Sequence, residues 1–302
     1  MLRCSALLML IVAGGFVFVY YQVRTLKVDQ LTPDVWVIYG LGGNVGVLRT
    51  NDGTVVVDSM MTTLQGRRIR ERAEALGGGP IHTVINTHYH SDHTHGNQAF
   101  AAGTRIVATE RTLAYLHVFD SGSWSGDGLG LPNDTFETDR TLHIGGKTLR
   151  LFHPGPGHTG GDLVVLFVED RVLHSGDLMF HLRFPVVDLR GGGSLRAWSS
   201  AVDDLLRLDF DRVIPGHGTV TGRQELRRFG GFIEDLWGVG RSAAEAGWSL
   251  NQTLERAELS GVEQFEATAM SRLMSHDRDY LVRRAWEEAT GAVTPTHLEV
   301  AH

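Results

Sequence analysis

Three imidazoles and one carboxylate fall within six residues of the segment Thr87-His88-Tyr89-His90-Ser91-Asp92-His93. On an extended backbone His88, His90 and Asp92 project to one side. His93 breaks that alternation and addresses a neighbouring point in space. Neutral imidazole nitrogens and carboxylate oxygens suit a borderline dication such as zinc. Three further segments repeat the theme. His158 sits in Gly155-Pro156-Gly157-His158-Thr159-Gly160-Gly161-Asp162, Asp177 in His174-Ser175-Gly176-Asp177, and His217 in Pro215-Gly216-His217-Gly218. Each lies beside an apolar run and on a glycine-bearing loop, as a preorganised metal centre requires. One such segment alone would be an ordinary solvated turn. Together they point to a metal centre and to metal-activated water.

Short β-branched runs must deliver these side chains. Residues 35–39, 44–48 and 54–58 have the pattern of three consecutive strands separated by glycine-rich turns. Residues 63–76 have helical spacing and stop at Gly77-Gly78-Gly79-Pro80. A buried strand over 83–86 leads into the histidine-rich segment, and a strand over 105–108 and a helix over 110–118 follow. Residues 120–133, rich in Gly and Ser and carrying Trp124, form a long loop of the kind that borders active sites. A second series of strands covers 141–144, 147–152, 163–168 and 172–174. Ser194 caps an amphipathic helix that runs to 208, and a last strand spans 212–214. Two β-α series of similar layout imply an α/β protein, a four-layer αββα sandwich. Residues 25–221 make the catalytic domain and 222–302 a C-terminal helical extension. That extension has two roles open to it, shaping one wall of the cleft or forming a homodimer contact.

The series HYHSDH, GHTGGD, SGD and PGHG resembles the motif set of the metallo-β-lactamase-fold hydrolases over 35–217. These motifs specify the superfamily but not the substrate. The resemblance implies that His88, His90 and His158 hold one metal, and Asp92, His93 and His217 a second, with Asp177 bridging both. Two Zn2+ are the implied cofactors, with iron or manganese as the other candidates. Asp58, after Val55-Val56-Val57, matches the family's buried aspartate that orients ligands through hydrogen bonds. A buried carboxylate without a partner would be too costly to keep. Asp92 and Asp177 are the implied catalytic groups, around a metal-bridging hydroxide that attacks a carbonyl carbon.

Asp177 also narrows the reaction. One group of antibiotic-degrading members has a cysteine there, and another lacks an acidic ligand. The only cysteine here is Cys4, far outside the catalytic body. The ligand set therefore favours hydrolysis of an ester, thioester, lactone or amide-type bond in a small molecule. Cleavage of β-lactams, or a mononuclear iron dioxygenase of the same fold, are the alternatives. Tyr89, Trp124, Phe180 and Arg183 are expected around the substrate, Tyr89 as donor or aromatic wall and Arg183 as carboxylate anchor or solvated side chain. Asn97 is expected to cap a helix, with support of the metal ligands from behind as the alternative, and His174 and His181 to be structural or solvated.

Bulk properties exclude one class and suggest a location. A net charge of −7 leaves no excess of cations for nucleic-acid phosphates. At the N-terminus Arg3 precedes an apolar run over 6–21, followed by Gln22, Val23 and Arg24. A charged start and a long apolar stretch indicate a signal peptide or signal anchor within 1–24. Bulky Tyr20 and Tyr21 stand where a small-x-small cleavage site would fall, which favours an uncleaved anchor. The expectation is an exported, periplasmic or extracytoplasmic body with membrane contact through its N-terminal segment.

Overall fold

The structure, a computed structural model, describes residues 26–124 and 128–298. The expected leader over 1–24 lies outside the described residues. Among those residues no helix is long and apolar enough to cross a membrane.

The first sheet follows chain order: β1 (Lys27–Gln30), β2 (Val35–Tyr39), β3 (Val45–Thr50), β4 (Gly53–Val57), β5 (Ile81–Ile85), β6 (Arg105–Thr109) and β7 (Asp134–Phe136). Its first four strands are antiparallel. From β4 to β7 they run parallel. Parallel neighbours need crossover connections, which α1 (Thr63–Gly77), the short α2 (Ser91–Thr94) and α3 (Glu110–Phe119) provide. The second sheet contains β8 (Asp139–Ile144), β9 (Lys147–Phe152), β10 (Val164–Phe167), β11 (Val172–Phe180) and β12 (Arg212–His217), in the order β12-β11-β10-β9-β8. Only β11 and β12 are parallel in it, joined through α4 (Leu195–Leu206). Helices α5 (Arg223–Glu245), α6 (Leu250–Arg256), α7 (Ala269–Leu273) and α8 (Arg278–Thr290) complete the chain.

Side-chain alternation assigns the layers. On β2, Val35 and Val37 face the second sheet, where they join Leu149, Leu151 and Phe167. Trp36 and Ile38 turn outward into a core shared with Ile69 and Ala73 of α1. On β10, Val165 and Phe167 face the first sheet, while Val164 and Leu166 join a core with Trp198, Phe229, Ile233 and Leu281 from the helices of the other flank. The result is the expected αββα sandwich. Helices α5 and α8 share the core of the second sheet.

Local chemistry fixes the element ends. The Thr62 side chain accepts from the Gln65 amide at the start of α1, and Gly78 at φ 75° closes it. Ser194 caps α4 by accepting from the Ala197 amide. Two strands lie beyond the expected set. β1 reads Lys-Val-Asp-Gln and β7 has only three residues, so neither shows an apolar alternation. β11 runs six residues past its expected end at His174, with register shifts around Gly176, which adopts φ 50°. That irregular stretch turns Asp177 into the site.

Candidate metal centre

The first sheet delivers four of the polar groups and the second sheet three. After β5 the chain bends through Thr87, His88 and Tyr89 to His90, which precedes α2 with φ −62° and ψ 146°, and His93 lies within that short helix. His158 comes from the loop between β9 and β10, Asp177 from β11, and His217 from the end of β12.

All seven converge. His90 Nδ1 lies 3.2 Å from His88 Nε2 and 2.8 Å from His158 Nε2, so three ring nitrogens face one point. His217 Nε2 lies 3.3 Å from Asp92 Oδ2 and 3.3 Å from Asp177 Oδ2. His93 Nε2 is 3.2 Å from Asp177 Oδ1 and 3.7 Å from Asp92 Oδ2. Asp177 Oδ2 also comes within 3.4 Å of His158 Nε2. His88, His90 and His158 could thus hold one metal ion, and Asp92, His93 and His217 another, with Asp177 touching both groups.

The rings are held with one nitrogen free to ligate. His158 Nδ1 donates to the Val186 carbonyl at 2.7 Å, His93 Nδ1 to Asp58 Oδ2 at 2.7 Å, and His90 Nε2 to Asp188 Oδ2 at 3.2 Å. An acceptor at the far nitrogen leaves the lone pair on the near one. Asp58 is fully buried and takes two further hydrogen bonds at 2.8 Å, from the Thr87 amide and the Thr87 hydroxyl. That hydroxyl in turn accepts from His88 Nδ1 at 3.1 Å. One carboxylate therefore orients a ring in each group.

Two glycines make room. A Cβ on Gly216 would stand 1.8 Å from Asp177 Oδ1, and one on Gly43 would stand 2.2 Å from His93 Cε1. His93 Nε2 and Asp177 Oδ1 are buried and make no hydrogen bond. Buried polar atoms are almost always satisfied, and a dication between them would satisfy both. The donor set fits zinc.

Electrostatics divides the histidines. Burial holds His158 down at about 4 and His88 well below its ordinary range. At His217 desolvation opposes charge, but Asp177 and Asp92 outweigh it and push the ring up to about 9. Asp177 is likewise resisted by burial and held well below the carboxylate range by His217, His93 and His158.

The expected pocket residues have varied fates. The Tyr89 hydroxyl donates to Asp188, and its ring packs 5.2 Å from Tyr115 and 5.6 Å from Phe119. Trp124 packs against that aromatic group and edge-on to His95 at 5.5 Å. Residues 125–127 of its loop lie outside the described residues. Phe180 stacks on His217 at 5.3 Å. Arg183 pairs with Glu266. His174 is buried, 3.3 Å from the Asn44 carbonyl, and His181 binds the Thr219 carbonyl. Asn97 is not a helix cap. Its amide cross-links Asn86, Ser59 and the Gly130 carbonyl inside the first sheet's helical flank. Asp188 was not foreseen, because it meets His90 across 98 residues and no neighbouring residue marks it.

Residues 38–217 match the family model described as the Metallo-beta-lactamase superfamily. The chain belongs to this superfamily. Its members are metal-dependent hydrolases, and so is this protein. It is 26% identical over 210 residues to a metallo-beta-lactamase type 2 from a Bacillus species, covering 66% of this chain and 79% of the relative. It is 29% identical over 189 residues to the 2,4-dinitroanisole O-demethylase subunit alpha of a Nocardioides species, covering 60% of this chain and 56% of that one. Among solved structures, a metallo-beta-lactamase from Pontibacter korlensis shares the fold, with a TM-score of 0.59 and 24% identity over 70% of this chain and 99% of the other.

Proposed function

We propose that this superfamily member is a two-zinc hydrolase that cleaves an ester, thioester, lactone or amide-type bond in a small molecule. The position of Asp177 carries the proposal, because its carboxylate lies 3.2–3.4 Å from ring nitrogens of both groups. His88, His90 and His158 would hold one zinc and Asp92, His93 and His217 the other, with Asp177 between them. Two bound dications supply hydroxide near neutral pH by lowering the pKa of water, and they polarise a carbonyl oxygen.

The chain's own groups set the direction of approach. His90, Asp92 and His217 keep about a quarter of their side-chain surface exposed, at 25%, 22% and 26%. His88, His93 and His158 are sealed beneath them. Substrate therefore enters over His90, Asp92 and His217. Burial works against charge on Asp92, yet His93 and His217 keep it ionised, so its Oδ2 accepts hydrogen bonds and is not an acid. The buried Phe180 stacks on the ring of His217 and covers one of its faces.

Cleavage of β-lactams is the second reading, favoured by the relative named metallo-beta-lactamase type 2. The absence of any cysteine beyond Cys4 counts against the group that uses one at this position. Elemental analysis and a panel of esters, thioesters, lactones and β-lactams test the proposal on wild type and Asp177→Asn. The expected result is two zinc ions per chain, with one weakened and turnover cut on the order of 100-fold or more in the variant, as for loss of a major electrostatic group. Two retained metals and comparable turnover in Asp177→Asn would overturn the bridging role. One iron per chain would overturn the hydrolase.

A further inference from the structure

The segment between β11 and α4 reaches the metal centre from behind. The Val186 carbonyl accepts from His158 Nδ1 at 2.7 Å, and Asp188 Oδ2 accepts from His90 Nε2 at 3.2 Å. The Asp188 amide donates to the His158 carbonyl at 3.1 Å, and the Gly193 amide closes back onto the Asp188 carbonyl at 2.8 Å. A Cβ on Gly193 would stand 2.3 Å from the His158 carbonyl oxygen, so the two loops interlock. Asp58 orients His88 and His93, whereas this segment orients His90 and His158. Two of the three rings in one group depend on it, and none in the group of Asp92, His93 and His217.

The segment has no helix or strand of its own over 181–194. Val187 and Leu189 anchor it in the core that also takes Leu281 and Ala285 of α8. Apolar contact is non-directional, so orientation falls to polar ties, and α8 with the residues after it supplies three. The Val187 amide donates to the Tyr280 hydroxyl at 3.1 Å. Glu288 accepts from the Ser194 hydroxyl at 2.6 Å and from the Leu195 amide at 2.7 Å, at the N-terminus of α4, where a carboxylate is favoured. The Thr296 amide donates to the Arg190 carbonyl at 2.9 Å. The helix making these ties is itself firmly seated. Leu281, Val282 and Ala285 are buried, and a Cβ on Gly240 of α5 would stand 2.3 Å from the Ala285 carbonyl oxygen. All of α8 lies outside the 38–217 that match the superfamily.

We propose that α8 is a clasp for one half of the metal centre, and that Tyr280 and Glu288 are positioning residues which, through 186–196, hold His90 and His158 in the orientation that lets them take an ion with His88. The C-terminal extension then acts on the site without touching substrate or metal. This deepens the two-zinc reading and rests on it for the ion, though not for the placement of the rings.

Zinc affinity resolved by group, on the full chain, tests the clasp. In a His217→Ala background only the three-histidine group is complete, and in a His158→Ala background only the other one is. Tyr280→Phe combined with Glu288→Gln should weaken zinc about tenfold in the first background, the lower end of what residues behind metal ligands contribute. In the second background the change should stay below about twofold. Arg278→Met is the control, because its guanidinium ties α8 to the Leu254 and Ala257 carbonyls and not to 186–196. It should lower the thermal midpoint and leave both affinities within about twofold. Equal weakening in both backgrounds, or none in either, overturns the proposal. A second measurement needs no ion. Proton NMR of the metal-free wild-type chain follows exchange of the His158 Nδ1 proton, which the Val186 carbonyl protects. Exchange should quicken about tenfold in the Tyr280 and Glu288 double variant and hold steady in Arg278→Met. An unchanged rate in the double variant overturns the clasp. If neither background retains zinc, the two-zinc reading falls, and the exchange rate decides the clasp alone.

Discussion

Replacing Asp58 with asparagine exchanges one oxygen for an amide in a place without solvent. The backbone there has φ 65°, a region that asparagine tolerates better than most residues, so the turn itself survives. Asparagine Oδ1 can still accept from the Thr87 amide. The lost Oδ2 had accepted from both the Thr87 hydroxyl and His93 Nδ1, at 2.8 and 2.7 Å. In the variant an NH2 group meets two donors. His93 can escape only by moving its proton to Nε2, the atom that faces Asp177 and Asp92. Thr87 can escape only by turning its hydroxyl away, which releases His88 Nδ1. Two charge-assisted hydrogen bonds of about 1.5–3 kcal/mol each are removed, and part is returned because a buried charge disappears. We expect a net loss of about 2–4 kcal/mol in the metal-loaded protein and zinc affinity about 10–100-fold weaker in both groups, as for other residues behind metal ligands. Competition against a chromophoric chelator gives the affinities, and a thermal scan gives the stability. Unchanged affinity in both groups would refute the claim that one carboxylate orients a ring in each.

Gly216→Ala should be more damaging than its size suggests, because the new Cβ would stand 1.8 Å from Asp177 Oδ1. Displacement of that carboxylate should abolish stable binding of the second ion and lower stability by about 1–3 kcal/mol, checked by elemental analysis after dialysis and by thermal denaturation. Zinc capture should depend on pH through His217, which stands at about 9 in the metal-free protein against an ordinary 6.5. Because the folded value is the higher one, the group stabilises the metal-free fold fully below 6.5, and that contribution is lost as pH rises through 9. Metal binding has the opposite slope, gaining up to about tenfold per pH unit between 7 and 9 for this proton. Calorimetry in buffers of different ionisation enthalpy measures the released proton, and an affinity flat across that interval would contradict the assignment.

What the sequence made legible follows the range of the interactions involved. HYHSDH, GHTGGD, SGD and PGHG each pack ligands and turn glycines into a few consecutive residues, so the seven polar groups could be named before any coordinates. The sheets were legible for a similar reason, since short unbroken β-branched and apolar runs such as β2 and β10 mark strands buried on both faces. Interactions set by distant pairing were not legible. Asp188 finds His90 across 98 residues, and Arg183 is claimed by Glu266 across 83. Nothing local distinguishes either from a solvated side chain. β1 escaped notice because an edge strand pairs through its backbone and needs no apolar alternation. Asn97 resembled a cap because capping is a short-range role, whereas its amide is used to tie the chain at 86, 59 and 130.

The division of the seven groups, four from one sheet and three from the other, has a consequence for assembly. The first β-α series holds two members of each trio and completes neither, since one lacks His158 and the other His217. A half-folded chain can thus attract an ion but cannot retain it. Capture would mark the moment at which the two sheets dock, and the bound ions would then act as rivets across the seam. Their binding free energy adds to the cohesion of the sandwich by RT ln(1 + [metal]/Kd). Stripping the ions should accordingly loosen the seam from the site end inward, with faster amide exchange after β5 and at the ends of β11 and β12, while the helical flanks stay protected.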